Sequence, residues 1–196
     1  MKTVVVGGHS RKVGKTSVAS GLIRGLREYS WTAVKISSHW HGENSSLNGR
    51  EPEEDFSILE ETNRGGLSDT SRFLAAGAAR SFWVRFRNDG LTDAIHALLP
   101  ILKSSDFVMI ESNRVLEFVP PDIYLVVLRY DVEDFKESAR RTLAQAHAAV
   151  VLDCGSATPS WKKMTLEALA PVPVFVTRDA RQLPEGLIEW VGARLA

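Results

Sequence analysis

Short, unbroken apolar runs alternate along this chain with stretches in which apolar residues recur at helical spacing. The runs are Val4-Val5-Val6 and residues 31–37, 81–86, 106–111, 123–128, 149–153 and 172–177. Apolar runs of this kind are what strands covered on both faces look like, whereas a strand with one wet face alternates. Between them, periodic positions predict helices over 17–28, 68–78, 92–103, 133–147, 160–169 and 184–195. In the third of these, Ile95, Leu98, Leu99 and Leu102 share one face, which reads as core. Residues 38–66 keep no period; His39, His41 and the acidic run 51–55 within them read as solvated positions. A segment of that length without a pattern is a functional lid or partly disordered. The alternation implies a single α/β domain over 1–196, a doubly wound, mostly parallel sheet of about seven strands with a long loop or lid at 38–66.

Composition narrows the partners. The 44% hydrophobic and 24% charged fractions are those of a soluble globular protein. Lys plus Arg is 24 and Asp plus Glu is 24, so no net charge draws the chain toward nucleic acid or an anionic membrane, and neither is an expected partner. Cys154 is the only cysteine, so no intrachain disulfide can form. The apolar residues ahead of the first glycine are too few for a signal peptide or a membrane span, and a cytoplasmic protein is the expectation.

The chemistry begins where the first run breaks. Gly7-Gly8-His9-Ser10-Arg11-Lys12-Val13-Gly14-Lys15-Thr16-Ser17 joins a buried strand to a helix, the setting in which Gly-Lys-Thr reads as a phosphate loop. The unpaired amides and positive end of a helix N-terminus suit a triphosphate. Gly8, Ser10, Arg11, Lys12, Val13, Gly14, Lys15, Thr16 and Ser17 are therefore the candidate nucleotide contacts. Lys15 would reach the β- and γ-phosphates, and Thr16 would offer its hydroxyl to Mg²⁺. Gly14 leaves room for the backbone to approach a phosphate. Five residues rather than the common four separate Gly8 from Gly14, and the usual glycine position holds His9.

Ligands in doubly wound sheets bind beyond the carboxyl ends of the strands, so the residues ending each run come next. Glu111 ends the fourth run, where a carboxylate beside a phosphate loop commonly holds Mg²⁺. Thr16 and Glu111 are the candidate metal ligands, and Lys15 and Glu111 the candidate catalytic pair. Asp106, at the other end of the same run, reads as a surface residue. Lys35 interrupts an apolar strand, so it either enters the site or pairs with an acid such as Glu111. Asp69 and Arg72, three apart, share a helix face and are either a surface ion pair or a lining of the site opposite the loop. Together with Lys35 they are the tentative substrate residues. Cys154 lacks a paired His or second Cys and reads as a small core or rim residue.

In order, Val4 to Gly8, Gly14-Lys15-Thr16, Ala33-Val34-Lys35, Asp69-Thr70-Ser71-Arg72 through Ala76-Gly77-Ala78, and Asp106 to Glu111 resemble the molybdopterin-guanine dinucleotide biosynthesis protein B family. The resemblance covers roughly residues 1–130 apart from the loop at 38–66. It implies a GTP-binding P-loop protein of the branch that also holds dethiobiotin synthetase and the nitrogenase iron protein. It implies too a role in molybdenum cofactor maturation, with a molybdenum-cofactor protein or a small molecule as partner, and it allows a homodimer. Some features depart from the pattern. Ser112-Asn113-Arg114 follows Glu111 where the family usually has Gly, and the loop spacing is closer to that of dethiobiotin synthetase. Ser10 stands where the nitrogenase-like branch carries a further lysine, and no Asn-Lys-x-Asp guanine signature is present. Residues 152–155 and 177–179 are the candidates for base contact, and GTP and ATP both stay open. The expected function is Mg²⁺-dependent nucleoside triphosphate binding with slow hydrolysis. A ligase or kinase acting on a small acid, or a nucleotide-gated adaptor, are the alternatives.

Overall fold

The structure, a computed structural model, describes residues 1–38, 55–156, 158–161 and 172–196. Its strands are β1 (Lys2–Gly8), β2 (Trp31–Ser37), β3 (Phe56–Glu61), β4 (Arg80–Phe86), β5 (Phe107–Glu111), β6 (Ile123–Arg129), β7 (Ala148–Leu152) and β8 (Val174–Thr177). The helices are α1 (Lys15–Gly25), α2 (Asp69–Ala76), α3 (Leu91–Lys103), α4 (Glu137–Thr142) and α5 (Glu185–Leu195). The strands form one sheet in the order β3-β4-β2-β5-β1-β6-β7-β8, parallel throughout except that β3 runs antiparallel to β4.

Both faces of the sheet are covered, as the unbroken apolar runs require. Val4 and Val6 face α1 and α5, packing with Val18, Leu22, Leu187 and Val191, whereas Val5 faces α3 and α4 with Leu98 and Ala139. β6 repeats the alternation, Ile123, Leu125 and Val127 on the first side and Tyr124, Val126 and Leu128 on the second. Leu98 and Leu102 are fully buried, so that helix face is core. No helix among the described residues is long and apolar enough to cross a membrane.

Four differences from the sequence reading have physical causes or limits. The sheet has eight strands, because β3 lies inside the patternless stretch 38–66; it is an edge strand that packs only Phe56 and Ile58 inward, too little to stand out. The helix expected over 133–147 is reduced to α4 and a 3₁₀ turn at Leu143–Gln145. Residues 131–136 stay outside it because their backbone bonds to the loop after β1: the Lys136 amide donates to the His9 carbonyl at 2.8 Å. α1 begins two residues earlier than expected and ends at Gly25. The helix expected over 160–169, His39, His41 and residues 51–54 fall outside the described residues apart from Ser160 and Trp161; Asp55 is exposed.

Candidate functional site

Parallel register assembles the site. β1 lies at the centre between β5 and β6, and β5 lies between β1 and β2, so Lys35 sits beside Glu111 and Glu111 beside Val6. Counting along β2 and β5, Lys35 and Glu111 share the face of Ala33 and Met109, the side on which α1 and α2 pack. α1 brings Thr16 there and α2 brings Asp69. The Thr16 hydroxyl donates to Glu111 Oε2 at 2.7 Å, and Lys35 Nζ bridges Glu111 Oε1 and Asp69 Oδ2, the latter at 3.0 Å. Glu111 is 2% exposed.

Of the two alternatives read for Lys35, the structure shows the pairing with Glu111, and the residue also lines the cavity. Burial alone would pull its ammonium down, but the two carboxylates outweigh it and raise the value. Burial would likewise raise Asp69, yet Lys35 holds it below the usual carboxylate range. Asp69 and Arg72 do share a face, 3.5 Å apart, and Arg72 Nη2 also donates to Ser17 Oγ at 2.9 Å, so α2 leans on the first turn of α1. The helix itself is capped by Ser68, whose hydroxyl accepts from the Ser71 amide.

The loop between β1 and α1 is stitched at both ends. Asn113 brackets Gly8: its Oδ1 accepts from the Gly8 amide at 2.8 Å and its Nδ2 donates to the Gly8 carbonyl at 2.9 Å. A Cβ on Gly7 would lie 2.3 Å from that Oδ1, so the side chain fits only against glycine. Gly14 has φ 97°, a left-handed conformation that a side chain resists, and a Cβ there would press on Leu152 at 3.0 Å. Its glycine requirement is therefore set by backbone conformation and packing, in addition to any phosphate. α1 starts with no capping side chain and no acid in its first turn, which leaves its leading amides without an internal partner. Lys15 Nζ donates to the Ser10 carbonyl at 2.6 Å, and burial lowers its value from 10.5 to about 8.

Not every loop residue faces the pocket. Gly8, Arg11, Lys12, Gly14, Lys15, Thr16 and Ser17 line a cavity of about 500 Å³ together with Lys35, Asp69, Arg72 and Glu111. Val13 is buried in the core, and Ser10 gives its hydroxyl to Asp134 Oδ2 at 2.5 Å. Arg11 and Lys12 are exposed, Lys12 with φ 57°. Asp106 is exposed, and Cys154 is an exposed rim thiol. Asp153 and Arg178, among the base-contact candidates, pair at 3.4 Å on the surface.

Sequence reasoning missed Asn113, Asp134, Lys136 and the part played by His9. Lys136, whose value is lowered by burial and by Arg11, lines the cavity only because residues 131–136 fold over the loop, and no local pattern announces that. His9 is fully buried between the rings of Phe135 and Trp161, at 5.2 and 5.3 Å. Its Nδ1 meets the Asp134 carbonyl at 2.8 Å and its Nε2 accepts from the Arg129 amide at 3.1 Å. A carbonyl only accepts and an amide only donates, so the ring is neutral with its proton on Nδ1. Burial lowers the His9 value. Its contribution to stability is accordingly complete above the unfolded value of about 6.5 and lost as pH falls below it. Urea midpoints measured from pH 7.5 to 5 should drop in the native chain and drop less in His9→Asn; equal slopes would remove this role.

The described residues contain no cluster of three or more His, Cys, Asp or Glu side chains able to hold a metal alone. Two hard oxygens, the Thr16 hydroxyl and the Glu111 carboxylate, are nevertheless in contact. That is the small protein share which Mg²⁺ takes when phosphates and water complete its shell.

No protein-family model and no curated protein sequence matches this chain. Solved structures do. HypB from Helicobacter pylori in complex with nickel is similar with TM-score 0.53 and 16% identity, over 98% of this chain and 86% of its own. LpxK from Aquifex aeolicus in complex with ATP has TM-score 0.52 and 16% identity over 90% of this chain. This chain spans 53% of the LpxK chain, about half its length. A MobB protein homologue from Bacillus stearothermophilus matches over 100% of this chain and 98% of its own, at TM-score 0.46 and 17% identity. These likenesses show a shared α/β fold, a mostly parallel sheet covered by helices.

Proposed function

We propose that this chain binds a Mg²⁺–nucleoside triphosphate, GTP or ATP, at the N-terminus of α1 and hydrolyses it slowly. The observation that carries the reading is that Lys15, Thr16, Glu111 and Lys35, from three elements of a P-loop NTPase fold, line one cavity, where Glu111 takes both the Thr16 hydroxyl and the Lys35 ammonium. The loop amides and Lys15 would take the β- and γ-phosphates, in a cavity that Arg11, Lys12 and Lys136 also line. Thr16 and Glu111 would hold Mg²⁺, which supplies charge neutralisation across the β- and γ-phosphates. Lys35 pairs with the Glu111 carboxylate and aims it. Both carboxylates of the site are engaged by Lys35, so neither is placed to take a proton from water, and turnover by positioning alone is slow.

A role beside molybdenum cofactor assembly is supported by the sequence resemblance alone. LpxK is described in complex with ATP, which favours neither base here. Calorimetric titration with GTP and with ATP, each with and without Mg²⁺, tests the reading. Binding of at least one that weakens tenfold or more without Mg²⁺ is expected; binding of neither sinks it.

A further inference from the structure

The cavity is larger than its phosphate end. From Gly14 and Lys15 it runs past Lys35 toward the ends of β2, β4 and β5, where Ser37, Ser38, Phe86 and Arg114 line it. Toward β7 and β8 it does not extend: Leu152 and Ala180 close behind Gly14, and Asp153 and Arg178 are not among its walls, while Lys136 and Ser138 line it on the α4 side. Room beyond the phosphate loop is therefore described on the β2–β4–β5 side.

That side carries an unused cation. Lys35 and Arg72 share Asp69, and Lys35 also holds Glu111. Arg114 pairs with no carboxylate among the described residues; its guanidinium lies over the Phe86 ring, 4.9 Å from the centroid, which orients it without neutralising it. Arg114 is exposed, and a guanidinium set over a ring at a pocket wall offers its fork to an oxyanion.

We propose that the β2–β4–β5 end of the cavity is an acceptor subsite for a small oxyanion, a carboxylate or a phosphate ester, gripped by Arg114 and flanked by Arg72. The inference rests on the nucleotide reading above and adds a second substrate to it. Its chemistry suits the site. An acceptor oxygen attacks the γ-phosphorus, the bond to the β,γ-bridging oxygen breaks, and the nucleoside diphosphate leaves with that electron pair. A carboxylate or phosphate oxygen arrives already deprotonated, so the transfer needs no base, and the site places none. Water or an alcohol would have to lose a proton to a carboxylate that Lys35 already holds.

The test loads the full chain with Mg²⁺ and a non-hydrolysable GTP or ATP analogue, whichever binds, then titrates succinate and, separately, inorganic phosphate. Saturable binding of at least one is expected, weakened at least tenfold more than nucleotide binding in Arg114→Ala and further in Arg114→Glu. The arm that binds names the class of acceptor. With hydrolysable nucleotide, the same anion should appear as a phosphorylated product. Absence of nucleotide binding would overturn the function and this inference together. Nucleotide binding without a second anion, or a second anion that Arg114→Glu binds as well as the native chain, would overturn the subsite alone.

Discussion

Lys15→Met should bind nucleoside triphosphate at least a hundredfold more weakly and yet unfold at a higher temperature than the native chain when both are free of ligand. The first effect follows if, as proposed, Lys15 is the cation that meets the β- and γ-phosphates, a charge-assisted contact in a partly buried site. The second follows from the cost of keeping that cation there. Burial lowers Lys15 from 10.5 to about 8, so the folded chain holds its proton less readily than the unfolded chain does. Between pH 8 and 10.5 the unfolded state binds the extra proton, and stability of the native chain rises with pH across that window. Methionine keeps the aliphatic stem that packs against Gly8 while discarding the charge, so Lys15→Met should begin near the top of that rise and show none of it. Thermal scans at pH 7 and pH 9.5 check this. A variant that loses stability at pH 7 would show that the Ser10 carbonyl bond outweighs the buried charge.

Lys35→Met carries the largest expected loss of stability, about 3 kcal/mol, because it leaves Glu111, buried in the sheet, without its cation. Asp69 loses a partner at the same time. A double-mutant cycle separates pairing from packing: Lys35→Met with Glu111→Gln should be more stable than Lys35→Met alone. Millimolar Mg²⁺ should raise the melting temperature of Lys35→Met more than that of the native chain, since a cation beside Glu111 and Thr16 replaces what was removed. A double variant less stable than the single one would mean that Lys35 supports the fold by contacts other than Glu111. No response to Mg²⁺ would count against Glu111 as its ligand.

The parallel sheet was legible because both faces are covered and the strands are continuous apolar runs; β1, β2, β5 and β6 fall where those runs lie. Thr16, Glu111, Lys35 and Asp69 were legible as residues at strand or helix ends, and the register of β2 on β5 explains why they converge. β3 was hidden because an edge strand packs only alternate residues and needs no apolar run. Asn113, Asp134 and His9 were hidden for a different reason. Each acts through hydrogen bonds to residues more than a hundred positions away, and nothing local marks an asparagine that will bracket a distant glycine. Residues 133–136 show the same competition, helical by pattern and irregular in fact because the loop after β1 takes the Lys136 amide and the Asp134 carbonyl.

The bracketing of Gly8 by Asn113 also bears on the heat of binding. Flexible glycine-containing loops lose freedom when they close on a ligand, and that ordering shows as unfavourable entropy. Here the Asn113 amide acts as one more rung between β1 and the segment after β5, and Asp134, His9 and Lys15 fasten the turn that follows. The freedom is given up when the chain folds. Nucleotide should meet a loop already shaped for it, binding with little ordering entropy, and Asn113→Ala should turn that signature into a more exothermic, entropically opposed one.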